Sequence, residues 1–552
     1  MSASDRANPP AHLTRTSSFE VKVRPRVAER TGLMRWSGYA WGAIGATVAF
    51  IGMTCWWLTQ DRSIPIYDVG TQLQTVFEYR GMLQAGNLLG PFTFENVYPI
   101  LGHMVGAVAE LIGGVNIAAP VIGENLVFVP LLALGCYQTG KLLFGPLAGM
   151  LAVVFVFGSP LIMEMFHVFL LDAPLASMVA VAVWLILASE DFRRVGVSGL
   201  AGLAVGLGLN VKVTFALFVV GLTAVVFFHG GWRNWRGFAT FVAVSLLVGT
   251  PWYIQHSSEL GRMIELSSSG PGTPPGNIPD TFSTDNLFWY FWSILNSQLL
   301  LPLFLLAVGG IVWMTVTAVR SRGKHAARLE FLVGGFLAWF VITYPDAHHD
   351  IRYGLPIIGY LAVVATGWIV HLPRVARIAA IGLLVLGVGA NTLGITIGYG
   401  VRAKVALTSH LAPTEQWPDR IYIFTTTGFL VAGPSRDGDV PGLFEALKRE
   451  GVSTISWSAA QSVGPDFSLE GLRPLAQIAG LEPAITEQPQ FAPQASVATL
   501  LHEAASARPQ PPCTRLRDGT AVWVVRYEPT AGKLAMYCPT RNPRYYGVGA
   551  VR

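Results

Sequence analysis

Charge is scarce in this sequence. Of its 552 residues, 13% are Asp, Glu, Lys or Arg, and 52% are hydrophobic. A soluble domain carries about a quarter charged residues. The deficit argues against a wholly water-soluble chain, and a mean hydropathy of +0.47 points to lipid as the main solvent. Cysteine is also scarce, at four. Cys55 and Cys136 lie in hydrophobic runs and read as small buried hydrophobes. The N-terminus does not read as a secretory signal: Met1 to Arg35 is long and polar, and the hydrophobic run after it is too long for a signal core. The expectation is an uncleaved, disordered cytoplasmic tail over residues 1–35. There is no internal repeat of the kind that marks many secondary transporters.

What is present is a series of long apolar runs, together with 59 Gly and 35 Pro, both commoner in membrane helices than in soluble ones. The net charge of +5 could suggest nucleic acid, but the basic residues sit mostly in short segments between the runs. That is a topology signal. Seven Lys and Arg residues precede the first span, Trp36 to Leu58, and place the N-terminus inside. Further spans are expected over Val121–Lys141, Pro146–Met163, Ala173–Ser189, Val197–Leu209, Val213–Phe228, Phe238–Ile254, Leu299–Val319, Leu329–Tyr344, Tyr353–Val370 and Ile378–Tyr399. The total is about eleven transmembrane helices over residues 36–400. The apolar run Gly102 to Val115, with His103 and Glu110, reads as an interfacial or re-entrant helix within a first outer loop over 60–120. Counting it as a crossing would put Arg193/Arg194, Arg233/Arg236 and Arg320 to Arg328 on the side opposite the basic tail. The C-terminus then emerges outside.

Residues 401–552 are soluble in composition and read as a small extracytoplasmic α/β domain without a catalytic motif. Strands are expected at Ile421–Phe429 and Ala521–Tyr527, and short helices at Leu443–Arg449 and Leu469–Ile478. Cys513 and Cys538 flank the second strand, and a disulfide between them is expected in an oxidising compartment, the alternative being two free thiols.

Ionisable residues at membrane depth are costly and are functional candidates by default. On this topology Asp68, Glu164, His167, Asp172, Lys212, His349 and Arg352 all fall on the outer side. Asp172 stands in the otherwise apolar Val168-Phe169-Leu170-Leu171-Asp172-Ala173-Pro174-Leu175, and Lys212 in Leu209-Asn210-Val211-Lys212-Val213. An outward cluster of carboxylates and cations at a membrane surface suits a lipid-linked phosphosugar. Cations hold the phosphate and stabilise charge on the leaving group. A carboxylate takes the proton of an incoming hydroxyl. Glu164 and His167, three apart, share a helix face near Asp172. His348-His349-Asp350 has metal-ligating chemistry, but adjacent residues on a helix or strand point apart. A divalent metal is therefore not expected, and no cofactor is assigned.

Tyr67-Asp68 after the first span, Tyr98-Pro99-Ile100-Leu101, Leu171-Asp172-Ala173-Pro174-Leu175, Gly202-Leu203-Ala204-Val205-Gly206 followed by Lys212, and Arg352-Tyr353-Gly354-Leu355-Pro356 occur in that order. The pattern resembles the GT-C membrane glycosyltransferases of the protein O-mannosyltransferase and aminoarabinose transferase type, glycosyltransferase family 39. It covers roughly Trp36 to Val370. The resemblance implies inverting transfer of a hexose or pentose from a polyprenyl-phosphate donor. It implies Asp68 as catalytic base or as the group that orients it, Asp172 as the acidic position of the second outer loop, and Lys212 and Arg352 beside the carrier phosphate. Tyr353, His167, Glu164 and His349 join them as expected substrate-binding residues. This sequence departs from the pattern at Asp68-Val69, where Asp-Glu is frequent, and at Pro99-Ile100, where two prolines are frequent.

The expected protein is thus a transferase of a bacterial plasma membrane that meets a polyprenyl-phosphate sugar and a protein, glycan or lipid acceptor on the outer face. The rival readings are a lipid-linked sugar transporter and a non-catalytic envelope assembly protein.

Overall fold

The computed structural model describes residues 37–61, 65, 67–259, 261, 283–320, 326–343 and 350–398, with short segments between 404 and 537. The N-terminal tail, His348, His349, Cys513, Cys538 and the expected helix Leu443–Arg449 lie outside the described residues.

The described chain is mostly helical. The helices are α1 (Gly38–Gln60), α2 (Tyr67–Gln84), α3 (Gly90–Thr93), α4 (Ile100–Gly113), α5 (Ala118–Phe144), α6 (Pro146–Phe157), α7 (Pro160–His167), α8 (Asp172–Ala188), α9 (Val195–Leu209), α10 (Phe215–His229) and α11 (Trp235–Gln255). After these come α12 (Thr284–Ser293), α13 (Leu300–Arg320), α14 (Ala326–Thr343), α15 (Ile357–Ile369) and α16 (Arg374–Thr392). Among the described residues six helices are long and apolar enough to cross a membrane, and up to seven if α6 and α7 form one span. The protein is a polytopic helical membrane protein.

Each expected span contains a helix, and two differ from expectation in an instructive way. The run Pro146–Met163 is not continuous: α6 and α7 meet at a 63° bend. Ser159 caps α7 by accepting from the Ile162 N–H at 3.3 Å, and Pro160 supplies a first residue that needs no backbone donor. The local capping chemistry overrides the apolar run. Upstream of Leu299 the chain is already helical from Thr284, and a π turn over Ile294–Leu299 joins α12 to α13.

α8 is the axis of the fold. Only Trp184 and Ala188 along it escape full burial. A helix apolar on every side belongs inside a bundle, and α8 packs on α5, α9, α10 and α15. Its crossing with α5 is close because position 135 is glycine: a Cβ there would meet the Ala180 carbonyl carbon at 2.4 Å. The tight turn from α5 into α6 uses Gly145 at φ 101°, a backbone conformation costly for other residues.

Beyond residue 398 the described pieces include two sheets. β1 (Lys404–Ala406) and β2 (Arg420–Tyr422) pair antiparallel. In the second sheet, β3 (Thr454–Trp457) lies parallel to both β4 (Thr486–Glu487) and β5 (Val522–Glu528), and β6 (Lys533–Tyr537) pairs antiparallel with β5. The Tyr422 N–H donates to Asn296 Oδ1 at 3.1 Å, tying β2 to the π turn.

Candidate active site

Five segments far apart in sequence meet at one end of the bundle. Asp68 sits in the first turn of α2, and Gln72 follows one turn later on the same face. Tyr98 precedes α4. Asp172 opens α8. Lys212 lies in the turn between α9 and α10, and Arg352 with Tyr353 lies in a 3-10 turn, Ile351–Gly354. With Leu170 and Leu171 these residues line a pocket of about 280 Å3 of empty space.

Backbone anchors hold each piece. The Lys212 turn is fixed by Asn210, whose side chain donates to Gly206 O at 2.9 Å and Val248 O at 2.8 Å. The Tyr253 hydroxyl donates to Leu209 O at 2.6 Å. The Leu101 N–H donates to Asn210 O at 2.8 Å, which locks the start of α4 against that turn. On the Arg352 side, Gln298 Nε2 donates to Ile351 O at 2.9 Å, and Ser159 Oγ donates to Gln298 O at 2.6 Å.

The charges pair inside the pocket. Lys212 Nζ donates to Asp172 Oδ1 at 2.7 Å, with both side chains nearly buried. Arg352 Nη1 lies 3.0 Å from Asp68 Oδ2. Its Nε and Nη2 donate to Asp350 Oδ2 at 2.9 and 2.6 Å, and its backbone N–H to Asp350 Oδ1 at 2.9 Å. Lys212 Nζ also lies 5.3 Å from the centre of the Tyr353 ring, a cation–π contact. Asp68 is the accessible carboxylate, its side chain 51% exposed against 3% for Asp172.

Electrostatics follow the pairing. Burial alone would lower the pKa of Lys212, yet Asp172 and the Tyr98 hydroxyl raise it overall. Burial likewise opposes the charge of Arg352, but Asp350, Asp172 and Asp68 hold its pKa above the ordinary value. Burial works to raise Asp350, and Arg352 outweighs it, so the carboxyl sits below the usual range. The Tyr98 phenol is raised, by burial first and the two aspartates next. Two fixed cations thus stand beside one exposed carboxylate, Asp68, and two paired ones, Asp172 on Lys212 and Asp350 on Arg352. Such a group can hold an anion and remove a proton.

Of the residues expected from sequence, Asp68, Asp172, Lys212, Arg352 and Tyr353 come together. Glu164 and His167 do not line this pocket. Both are buried in α7, where the His167 ring stacks on Trp57 at 4.6 Å. His349 lies outside the described residues. Sequence reasoning did not single out Gln72, Tyr98 as a pocket wall, or Asp350 as the partner of Arg352.

Residues 98–254 match the family described as dolichyl-phosphate-mannose-protein mannosyltransferase. That segment carries Tyr98, Asp172 and Lys212, and the match agrees with the motif resemblance to GT-C membrane glycosyltransferases. The structure is similar to the crystal structure of ArnT from Cupriavidus metallidurans bound to undecaprenyl phosphate, at 16% identity and a TM-score of 0.48, covering 63% of this chain and 62% of that one. It is also similar to the apo ArnT of the same organism, at 17% identity and a TM-score of 0.46, covering 62% of each chain. The chain therefore spans less than two thirds of the length of these structures. No curated protein matches it.

Proposed function

We propose that the protein transfers a sugar from a polyprenyl-phosphate carrier to an acceptor hydroxyl on the outer face of a bacterial plasma membrane. The observation that carries this reading is the meeting of Asp68, Asp172, Lys212 and Arg352 around one pocket. The match over residues 98–254 supports the class of reaction.

The chemistry follows from the pairings. Arg352 has the forked donors that suit a phosphate, and Lys212 adds a second positive charge. Asp172 keeps the Lys212 ammonium aimed. Asp68, accessible and oriented by Arg352, takes the proton of the acceptor hydroxyl. The acceptor oxygen bonds to the anomeric carbon from the face opposite the phosphate. The carbon–oxygen bond to the phosphate breaks, and the carrier phosphate leaves with the bonding electrons. Its new charge falls to Lys212 and Arg352. A single displacement of this kind inverts the anomeric centre.

The pocket also supports eleven spans. Asp68 and Asp172 share it, so an even number of crossings separates them. The α5 helix and the bent α6–α7 pair provide two, and α4 then lies along the membrane surface. Continuing through α16 puts the segment from residue 401 onward on the side of the site. We assign residues 36–400 as the catalytic membrane domain and 401–552 as a small extracytoplasmic α/β domain.

The test is Asp68→Asn in the full-length protein in native membranes. Transfer from a polyprenyl-phosphate sugar falls at least about a thousandfold, because the general base is lost, while insertion and carrier binding persist. Full activity of this variant would overturn the assignment.

A further inference from the structure

His103, one layer behind the pocket, forms a buried pair with Gln72 in its wall. His103 is fully buried and Gln72 is 3% exposed. His103 Nδ1 faces Pro99 O at 3.3 Å, and its Nε2 contacts the Gln72 side-chain amide, whose Oε1 end is the one placed against it. Tyr79 and Phe169 rings surround the imidazole. Among the described residues no carboxylate pairs with it, and a charged imidazole in such a place is costly.

A neutral imidazole has one N–H. A carbonyl oxygen only accepts, so the Nδ1 that faces Pro99 O carries the hydrogen. The same Nδ1 contact with the carbonyl four residues earlier recurs at His256, 3.0 Å from Trp252 O, and at His371, 2.7 Å from Gly367 O. The Nε2 of His103 is then left with a lone pair. It needs a donor from Gln72, and only the amide nitrogen supplies one. Turning the amide by 180° exchanges its two ends without moving any other atom. The other tautomer would set two lone pairs against each other at Pro99.

We infer that Gln72 presents its amide carbonyl oxygen to the pocket, held there by His103, and that this oxygen accepts a hydrogen bond from a hydroxyl of the transferred sugar. The inference rests on the glycosyl-transfer reading of the site. Gln72 lies one turn beyond Asp68 in the lining shared with Lys212 and Arg352. A carbonyl oxygen repels phosphate oxygens and attracts hydroxyls. Gln72 is therefore a sugar-side determinant, whereas the two cations serve the phosphate.

Two experiments test this on the full-length protein in bilayers. The first is independent of any activity. Nitrogen NMR of histidine-labelled protein, with His103 identified by its loss in His103→Asn, gives the tautomer. A protonated Nδ1 with a bare Nε2 is expected. A protonated Nε2 overturns the assigned amide orientation, whatever the protein catalyses.

The second compares Gln72→Met with wild type for two probes, a polyprenyl phosphate alone and the same carrier bearing a hexose or pentose. Binding of the bare carrier stays within about twofold, and binding of the loaded carrier weakens about tenfold, the worth of one buried hydrogen bond. Equal weakening of both probes, or of neither, overturns the sugar-side role. Failure of wild type itself to distinguish the loaded from the bare carrier would instead count against the glycosyl-transfer reading.

Discussion

Removing Lys212 alone leaves the Asp172 carboxylate buried without its partner, a change that costs about 3–5 kcal/mol for a buried pair. Lys212→Met is therefore expected to lower the melting temperature in detergent as well as activity. Replacing both partners, with Lys212→Met and Asp172→Leu, recovers most of the stability, because a buried pair is worth little more than an apolar one of similar shape. Activity stays lost, since the ammonium is gone. A thermal melt run beside a transfer assay separates the two effects. Asp350 gives the pH dependence. Burial opposes its ionisation, and Arg352 holds it ionised below the usual carboxylate range. A depressed folded pKa contributes stability that is full above about pH 4 and lost as the pH falls through the folded value. Melting temperatures taken from neutral pH downward should decline in that acid window, and Asp350→Asn should flatten that part of the decline. The legibility of single residues follows the same physics. Asp172 and Lys212 stood out in the sequence because a charge in an apolar run is expensive and needs a reason. Gln72 and Tyr98 carry no such cost, so their place in the pocket depended on which helix faces meet. Asp350 was visible only as part of a histidine run, and its fork with Arg352 comes from capping a 3-10 turn.

Elements were legible where hydrophobic length decides and obscure where capping decides. The run Gly102 to Val115 became α4, shifted by about half a turn. The strand read at Ala521–Tyr527 is β5. The break between α6 and α7 was missed because Gly158-Ser159-Pro160 sits inside an apolar run. Its bend turns α7 away from α6, and Glu164 and His167 on α7 are buried and off the pocket wall. The α5–α8 crossing supplies the test at this scale. Gly135→Ala adds a methyl carbon 2.4 Å from the Ala180 backbone, so two helices must part. Overpacking of this kind costs about 1–3 kcal/mol. Gly45→Ala on α1, where a Cβ meets nothing within 4 Å, is the control. A drop in melting temperature for the first variant and none for the second is expected. Equal melting temperatures would show that the α5–α8 contact yields without cost.

For the whole molecule, sidedness and the active site are one question. α8, α9 and α10 each have one end at the pocket, through Asp172 and Lys212, and the other beside Arg193/Arg194 or Arg233/Arg236. Basic loops face the cytoplasm, so the pocket opens outward if α4 does not cross. That condition gives a direct measurement. In a chain whose own four cysteines are replaced, Ala85→Cys reports the loop after α2, and Arg193→Cys and Arg233→Cys report the basic loops; all three positions are exposed. A membrane-impermeant maleimide applied to intact cells should label the first, and the other two only after permeabilisation. If α4 crossed the bilayer, Ala85→Cys and Arg193→Cys would label from the same side. Asp68 and Asp172 would then stand on opposite faces of the membrane, which is incompatible with a pocket that holds both within reach of Arg352 and Lys212.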